Sequence, residues 1–197
     1  MDPSAAAPPT PGFQLLPFAA GPVVGDGSCG PQRFRLRGAL FRQGGHLSLE
    51  YRLEGPIGEL LLPDPSPAPE RRDGLWQHTC LEAFLAPEDS EEAYWELNLS
   101  PCGDWNVYGL SGYRRGLRPE TLSGPPSLER HRSGGQGEDR IVFTARWPLP
   151  PPLVGAPLRI GITAVLEDLR GDLSYWALAH TGPEPDFHRC DSFLLRL

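Results

Sequence analysis

Apolar and polar residues alternate along much of the chain after residue 32, and the period is two. Residues 33–41, RFRLRGALF, put Phe34 and Leu36 on one face and Arg33, Arg35 and Arg37 on the other. Residues 46–54, HLSLEYRLE, repeat the device with Leu47, Leu49, Tyr51 and Leu53 inward, and the intervening RQGG reads as a hairpin turn. Strict alternation marks half-buried antiparallel strands. A proline-rich excursion follows at 60–74, where each Pro lacks the N–H that a sheet ladder needs.

The next two segments sort most sharply. In 73–85, DGLWQHTCLEAFL, Thr79, Leu81, Ala83 and Leu85 form one face, with Trp76, His78, Cys80, Glu82 and Phe84 opposite. In 93–100, Trp95, Leu97 and Leu99 are the apolar set, whereas Tyr94, Glu96, Asn98 and Ser100 face away. SPCGD then turns the chain into a strand over 105–110. Residues 118–139 read as soft, with room for a short helix at most. Further strands are expected over 140–147, 158–168 and 173–178, and DSFLLRL closes the chain as a terminal strand. Eight to ten short strands with no long helix and no internal repeat predict an all-β, two-sheet antiparallel β-sandwich. Alternation alone does not separate this from a closed barrel.

Composition narrows the picture. The 197 residues suit one domain, with 1–30 read as a leader and first edge segment and 31–197 as the domain. The 24 Pro and 23 Gly residues disfavour a helical bundle and suit strands joined by turns. A net charge of −7 with no basic run argues against a nucleic-acid partner. All 18 basic residues are Arg, which fits a GC-rich genome rather than a device for phosphate recognition. No apolar run reaches the ~20 residues of a membrane-spanning helix, so no membrane partner is expected. Asp2 and the prolines at 8, 9 and 11 do not suit a signal peptide, and a cytoplasmic location is expected. The four cysteines lack a C-x-x-C spacing and are read as reduced thiols.

Enzyme templates fail: there is no G-x-S-x-G, no glycine-rich strand-to-helix loop and no H-E-x-x-H. The polar-aromatic face is more informative. Sugars offer apolar C–H faces and a rim of hydroxyls, so a site for them needs flat aromatic surface beside carboxylates, amides or guanidinium groups. Trp76, Glu82, Glu96, Asn98, Tyr108, Tyr113 and Arg114 supply that inventory. The same residues have structural readings. Trp76 is either a ligand platform or a plug over the sheet edge, and Glu82 and Glu96 could simply pair with Arg114 or Arg146. Trp95 and Trp147 have the parity of core residues. His78, His180 and His188 lack metal-ligand spacing, and no cofactor is expected.

Two blocks carry a resemblance. Residues 73–116 contain Leu75-Trp76, Cys80-Leu81-Glu82-Ala83-Phe84, Trp95-Glu96-Leu97-Asn98, Ser100-Pro101-Cys102-Gly103-Asp104-Trp105 and Tyr113-Arg114. Residues 175–197 contain an aromatic strand, then Asp186-Phe187-His188 and Phe193. In this order they resemble DOMON-like domains related to family 9 carbohydrate-binding modules. The resemblance implies a β-sandwich of immunoglobulin-like jelly-roll type with a ligand pocket on one sheet. It also implies a non-enzymatic role, with a saccharide or sugar-containing small molecule as partner. In the sugar-binding branch two tryptophans clamp a terminal sugar. Trp76 matches one clamp position, Trp176 is the candidate for the second with Phe187 next, and His78 and His188 join the site. A haem- or metal-binding redox module, for which His78 would pair with His180 or His188, and a protein-interaction sandwich are the alternative readings.

Overall fold

The computed structural model describes residues 12–19, 31–134 and 139–197. The remaining leader positions, including Cys29, lie outside the described residues. Among the described residues twelve strands follow one another: β1 (Gly12–Pro17), β2 (Arg35–Gln43), β3 (His46–Gly55), β4 (Cys80–Pro87), β5 (Tyr94–Leu99), β6 (Trp105–Leu110), β7 (Arg118–Pro119), β8 (Ser127–Ser133), β9 (Asp139–Pro148), β10 (Leu158–Glu167), β11 (Leu173–Ala177) and β12 (Leu195–Arg196). Among the described residues the helical pieces are short 3-10 turns, and the fold is all-β as the alternation predicts.

The strands form one curled antiparallel sheet in the order β7-β6-β5-β4-β10-β11-β1-β2-β3-β9-β8, with β12 beside β10. Strand β1 links its two halves. Its first four residues pair with β2, and Leu16 and Pro17 pair with β11. This segment, expected within the leader and first edge, is paired along its whole length, to one neighbour and then the other. Its short burial alternation, Phe13 and Leu15 inward, is the local reason it joins the sheet.

Curling brings distant strands onto one core. Trp105 of β6 meets Trp147 of β9 edge-on at 6.4 Å, and the Tyr51 hydroxyl of β3 donates to the Glu82 carbonyl of β4 at 2.7 Å. Leu81, Ala83 and Leu85, Trp95, Leu97 and Leu99 all point into this core, as their parity requires. The soft stretch contains strand β8 instead of a helix. Its sequence, SLERHRS, forms a largely exposed edge on β9 and so lacks the apolar stripe that betrays a strand.

The opposite face of β4, β5 and β6 is buried as well. Phe84, Ala86, Tyr94, Tyr108 and Leu110 form a second cluster there with Phe193, and Phe187 and Cys190 pack against it. The chain after β11 folds back over this face. Gly161 permits that approach, because a Cβ at this position would lie 2.7 Å from the Phe193 ring. The face expected to be exposed is therefore the floor of a covered site.

Candidate functional site

The chain reaches β4 through a 3-10 turn, Leu75–Gln77, whose cap Gly74 takes a left-handed conformation (φ 74°) that suits glycine. The turn sets Trp76 over the sheet, 39% exposed, with its ring edge-on to Tyr108 at 5.9 Å. Because β4 begins only at Cys80, the strand parity used for Trp76 and His78 does not extend to them. His78 instead turns to solvent, where its Nδ1 lies 2.8 Å from a Glu167 carboxylate oxygen.

Pairing fixes what shares the floor. Thr163 of β10 sits opposite Glu82 of β4, Glu82 opposite Asn98 of β5, and Phe84 opposite Glu96. Glu82 is 2% exposed; the Thr163 hydroxyl donates to its Oε2 at 3.2 Å, and its Oε1 has no hydrogen-bond partner. The Asn98 amide donates to Glu96 Oε1 at 2.7 Å. Burial first, and then the Glu96 charge, push the Glu82 carboxyl up to about 8. Burial also raises Glu96, with the Asn98 hydrogen bond and the Arg114 charge opposing it. The buried Glu82 carboxyl therefore keeps its proton at neutral pH, with the Glu96 carboxyl also pushed towards its neutral form.

The rim comes from two returning loops. Arg114 has φ 51°, a left-handed conformation rare outside glycine, and its backbone N–H donates to the Tyr94 hydroxyl at 3.2 Å. Its guanidinium donates to Asp186 at 3.0 Å, and the Tyr113 hydroxyl donates to the same carboxylate at 2.6 Å. Burial works against the Asp186 charge, but these two donors outweigh it and hold its pKa down. His188 Nδ1 lies 2.8 Å from the Tyr94 hydroxyl, and its Nε2 is 4.0 Å from Glu96. Burial, then the Arg114 charge, depress His188 to about 4, so it is neutral at pH 7.

Between floor and rim lies a cavity of about 340 Å³. Trp76, Glu82, Glu96, Arg114 and His188 line it, five of the ten residues expected at a site. Asn98 is one step removed, holding Glu96. Tyr108 supports Trp76, with its hydroxyl donating to Asp73 at 2.6 Å, and Tyr113 acts through Asp186. His78 lies outside.

Trp176 corrects the sequence expectation most clearly. It pairs with Ala164 and Pro17, belongs to the main core at 1% exposure, and donates its indole N–H to Ser174 at 3.0 Å. Its neighbour Tyr175, opposite Val165, lines the cavity with Val165 and Phe187 instead. Adjacent aromatics in a short strand leave the parity open until the register is known; Phe187, the second clamp candidate, had its signal in the Asp-Phe-His element.

The histidines do not converge as a haem or metal site would require. His78 meets Glu167, His180 Nε2 approaches the Leu16 carbonyl at 2.9 Å, and His188 meets Tyr94. Among the described residues no group of three His, Cys, Asp or Glu side chains is arranged to hold a metal ion, and Cys80, Cys102 and Cys190 are free thiols. The acidic turn at 168–172 closes on itself, Asp168 accepting from the backbone N–H groups of Arg170 and Asp172. Among the described residues no helix is long and apolar enough to cross a membrane.

No family model and no curated protein matches the chain. Solved structures do. A candidate carbohydrate-binding protein from Bacteroides uniformis superposes with a TM-score of 0.59 at 14% identity, covering 94% of this chain and 84% of that one. A family 9 carbohydrate-binding module from Caldicellulosiruptor kristjanssonii in complex with glucose aligns with a TM-score of 0.39 at 14% identity, over 86% of this chain and 78% of the module. The chain thus shares the overall fold of the Bacteroides uniformis protein.

Proposed function

We propose that the cavity binds a carbohydrate or a sugar-containing metabolite, and that the protein binds this ligand without transforming it. One observation carries the reading. Aromatic surface from Trp76, Tyr175 and Phe187 lines the same cavity as the Glu82 and Glu96 carboxyls, which places apolar flats beside hydroxyl acceptors. Trp76 and Phe187 take the place of the two-tryptophan clamp. The shared fold with a candidate carbohydrate-binding protein supports the same reading. We take the two halves of the curled sheet as the leaves of a DOMON-like β-sandwich with its pocket on the β4-β5 leaf.

Trp76→Ala tests this directly. Trp76 is substantially exposed and sits on a short turn, so its loss should move the melting temperature by no more than about 2–4 °C, the effect of roughly 1 kcal/mol in a protein of this size. Saccharide affinity, measured by calorimetric titration, should fall at least tenfold, about 1.4 kcal/mol. A stability loss of several kcal/mol with unchanged saccharide affinity would make Trp76 a structural plug. The saccharide should be recovered intact after prolonged incubation; a hydrolysed product would instead assign the two carboxyls a catalytic role.

A further inference from the structure

The floor of the cavity is unusual for a neutral ligand. Glu82 and Glu96 are both at least nine-tenths buried, both line the cavity, and Glu82 Oε1 has no hydrogen-bond partner. The donors around the pair are neutral. They are the Thr163 hydroxyl on β10 and the Asn98 amide on β5, with the Cys80 thiol beside them on β4. Tyr51 reaches Glu82 only at its backbone carbonyl. The guanidinium of Arg114 bears on Glu96 through space but is bonded to Asp186, which neutralises it locally. His188 is uncharged at neutral pH, and Tyr94 beside it stays protonated, pushed up to about 12 chiefly by burial. Among the described residues, the ionisable groups left without a charged partner there are therefore the two carboxyls, and four aromatic rings, Trp76, Phe84, Tyr175 and Phe187, line the same space.

We infer that the cavity is built for a ligand presenting an ammonium group to Glu82 and Glu96, an amino sugar in preference to a neutral one, an inference that rests on the sugar reading above. An ammonium carries three N–H donors. It can satisfy the free Glu82 oxygen and a Glu96 oxygen together, through charge-assisted bonds roughly twice as strong as neutral ones. Aromatic faces nearby favour the same cation through their quadrupoles. A hydroxyl of a neutral sugar supplies one donor and leaves Glu82 protonated. An ammonium beside it lets Glu82 ionise, so its proton leaves to solvent as the ligand enters.

The test is calorimetric titration of the whole chain at pH 6.5 with glucosamine, galactosamine and mannosamine, each beside its parent hexose. At least one hexosamine should bind tenfold or more tightly than its parent. Its binding heat should change with the ionisation heat of the buffer, reporting proton release. Glu82→Gln, with Glu96→Gln as a second variant, should bring the ratio of the two affinities towards one. Parent hexoses binding as tightly as the hexosamines, or a preference that survives both substitutions, overturns the inference and leaves the sugar reading standing. Binding of no hexosamine and no hexose removes both.

Discussion

Trp176→Ala should lower the free energy of unfolding by about 3–5 kcal/mol, the range for truncating a large buried aromatic. The indole is fully packed in the main core, on the face it shares with Ala164, and its N–H is satisfied by Ser174. Alanine leaves a cavity that the flanking strands β1 and β10 cannot collapse into without breaking their pairing. Against a typical stability of roughly 5–15 kcal/mol, such a loss is large and should lower the melting temperature by about 6–20 °C. Chemical denaturation gives the number, and the loss should appear with or without saccharide. A variant as stable as the parent but deaf to sugar would return Trp176 to the role of second clamp. The contrast with Trp76→Ala is direct: loss of the turn residue should weaken binding, and loss of the strand residue should weaken the fold.

Glu82→Gln should act in the opposite direction and depend on pH. Burial and the neighbouring Glu96 raise the folded-state pKa of Glu82 to about 8, above its ordinary value of 4.5. The folded protein therefore holds a proton that the unfolded chain has released, and stability falls as pH rises between these values. Each tenfold difference in proton affinity between the folded and unfolded states is worth about 1.4 kcal/mol, which puts the wild-type loss on the order of 3–5 kcal/mol across that window. Gln keeps the shape without the charge. The stability difference between variant and parent should thus grow in favour of the variant from pH 4.5 to pH 8 and then level off. His188, depressed to about 4 by burial and Arg114, costs stability as pH falls below about 6.5, but it does so in both proteins and largely cancels in the difference. A pH-independent difference would mean that Glu82 is hydrated and not buried beside a second carboxyl. A stabilised variant with weakened binding would show that the buried carboxyl is maintained for the ligand at the expense of the fold.

Period-two alternation made much of this fold legible. Strand β6 begins and ends where its sequence predicts, and the inward sets Leu81, Ala83, Leu85 and Trp95, Leu97, Leu99 lie in the core. Strand β8 escaped because an exposed edge needs no apolar stripe, and β1 because its alternation is brief and follows a proline-rich start. For the site, parity found Glu82, Glu96 and Asn98, since all three lie within regular strands. It failed where residues leave the strand, as His78 does, or where register decides between neighbours, as at Tyr175 and Trp176. The cover over the floor could not be read from alternation at all. It depends on a tertiary contact, the Phe193 ring seated on Gly161, between segments that carry no shared local signal.

The most direct measurement is a saccharide titration followed by the indole N–H resonances of the five tryptophans. Trp95 and Trp176 have their indole N–H groups bonded to Glu120 and Ser174, and Trp105 and Trp147 lie in the core. The expected result is one dominant shift, at Trp76, that saturates with ligand and disappears in Trp76→Ala, accompanied by backbone shifts at Tyr175 and Phe187. Shifts centred instead on the separate groove of Arg33, Leu60 and Asp168, with Trp76 unmoved, would contradict a ligand seated on the β4-β5 face.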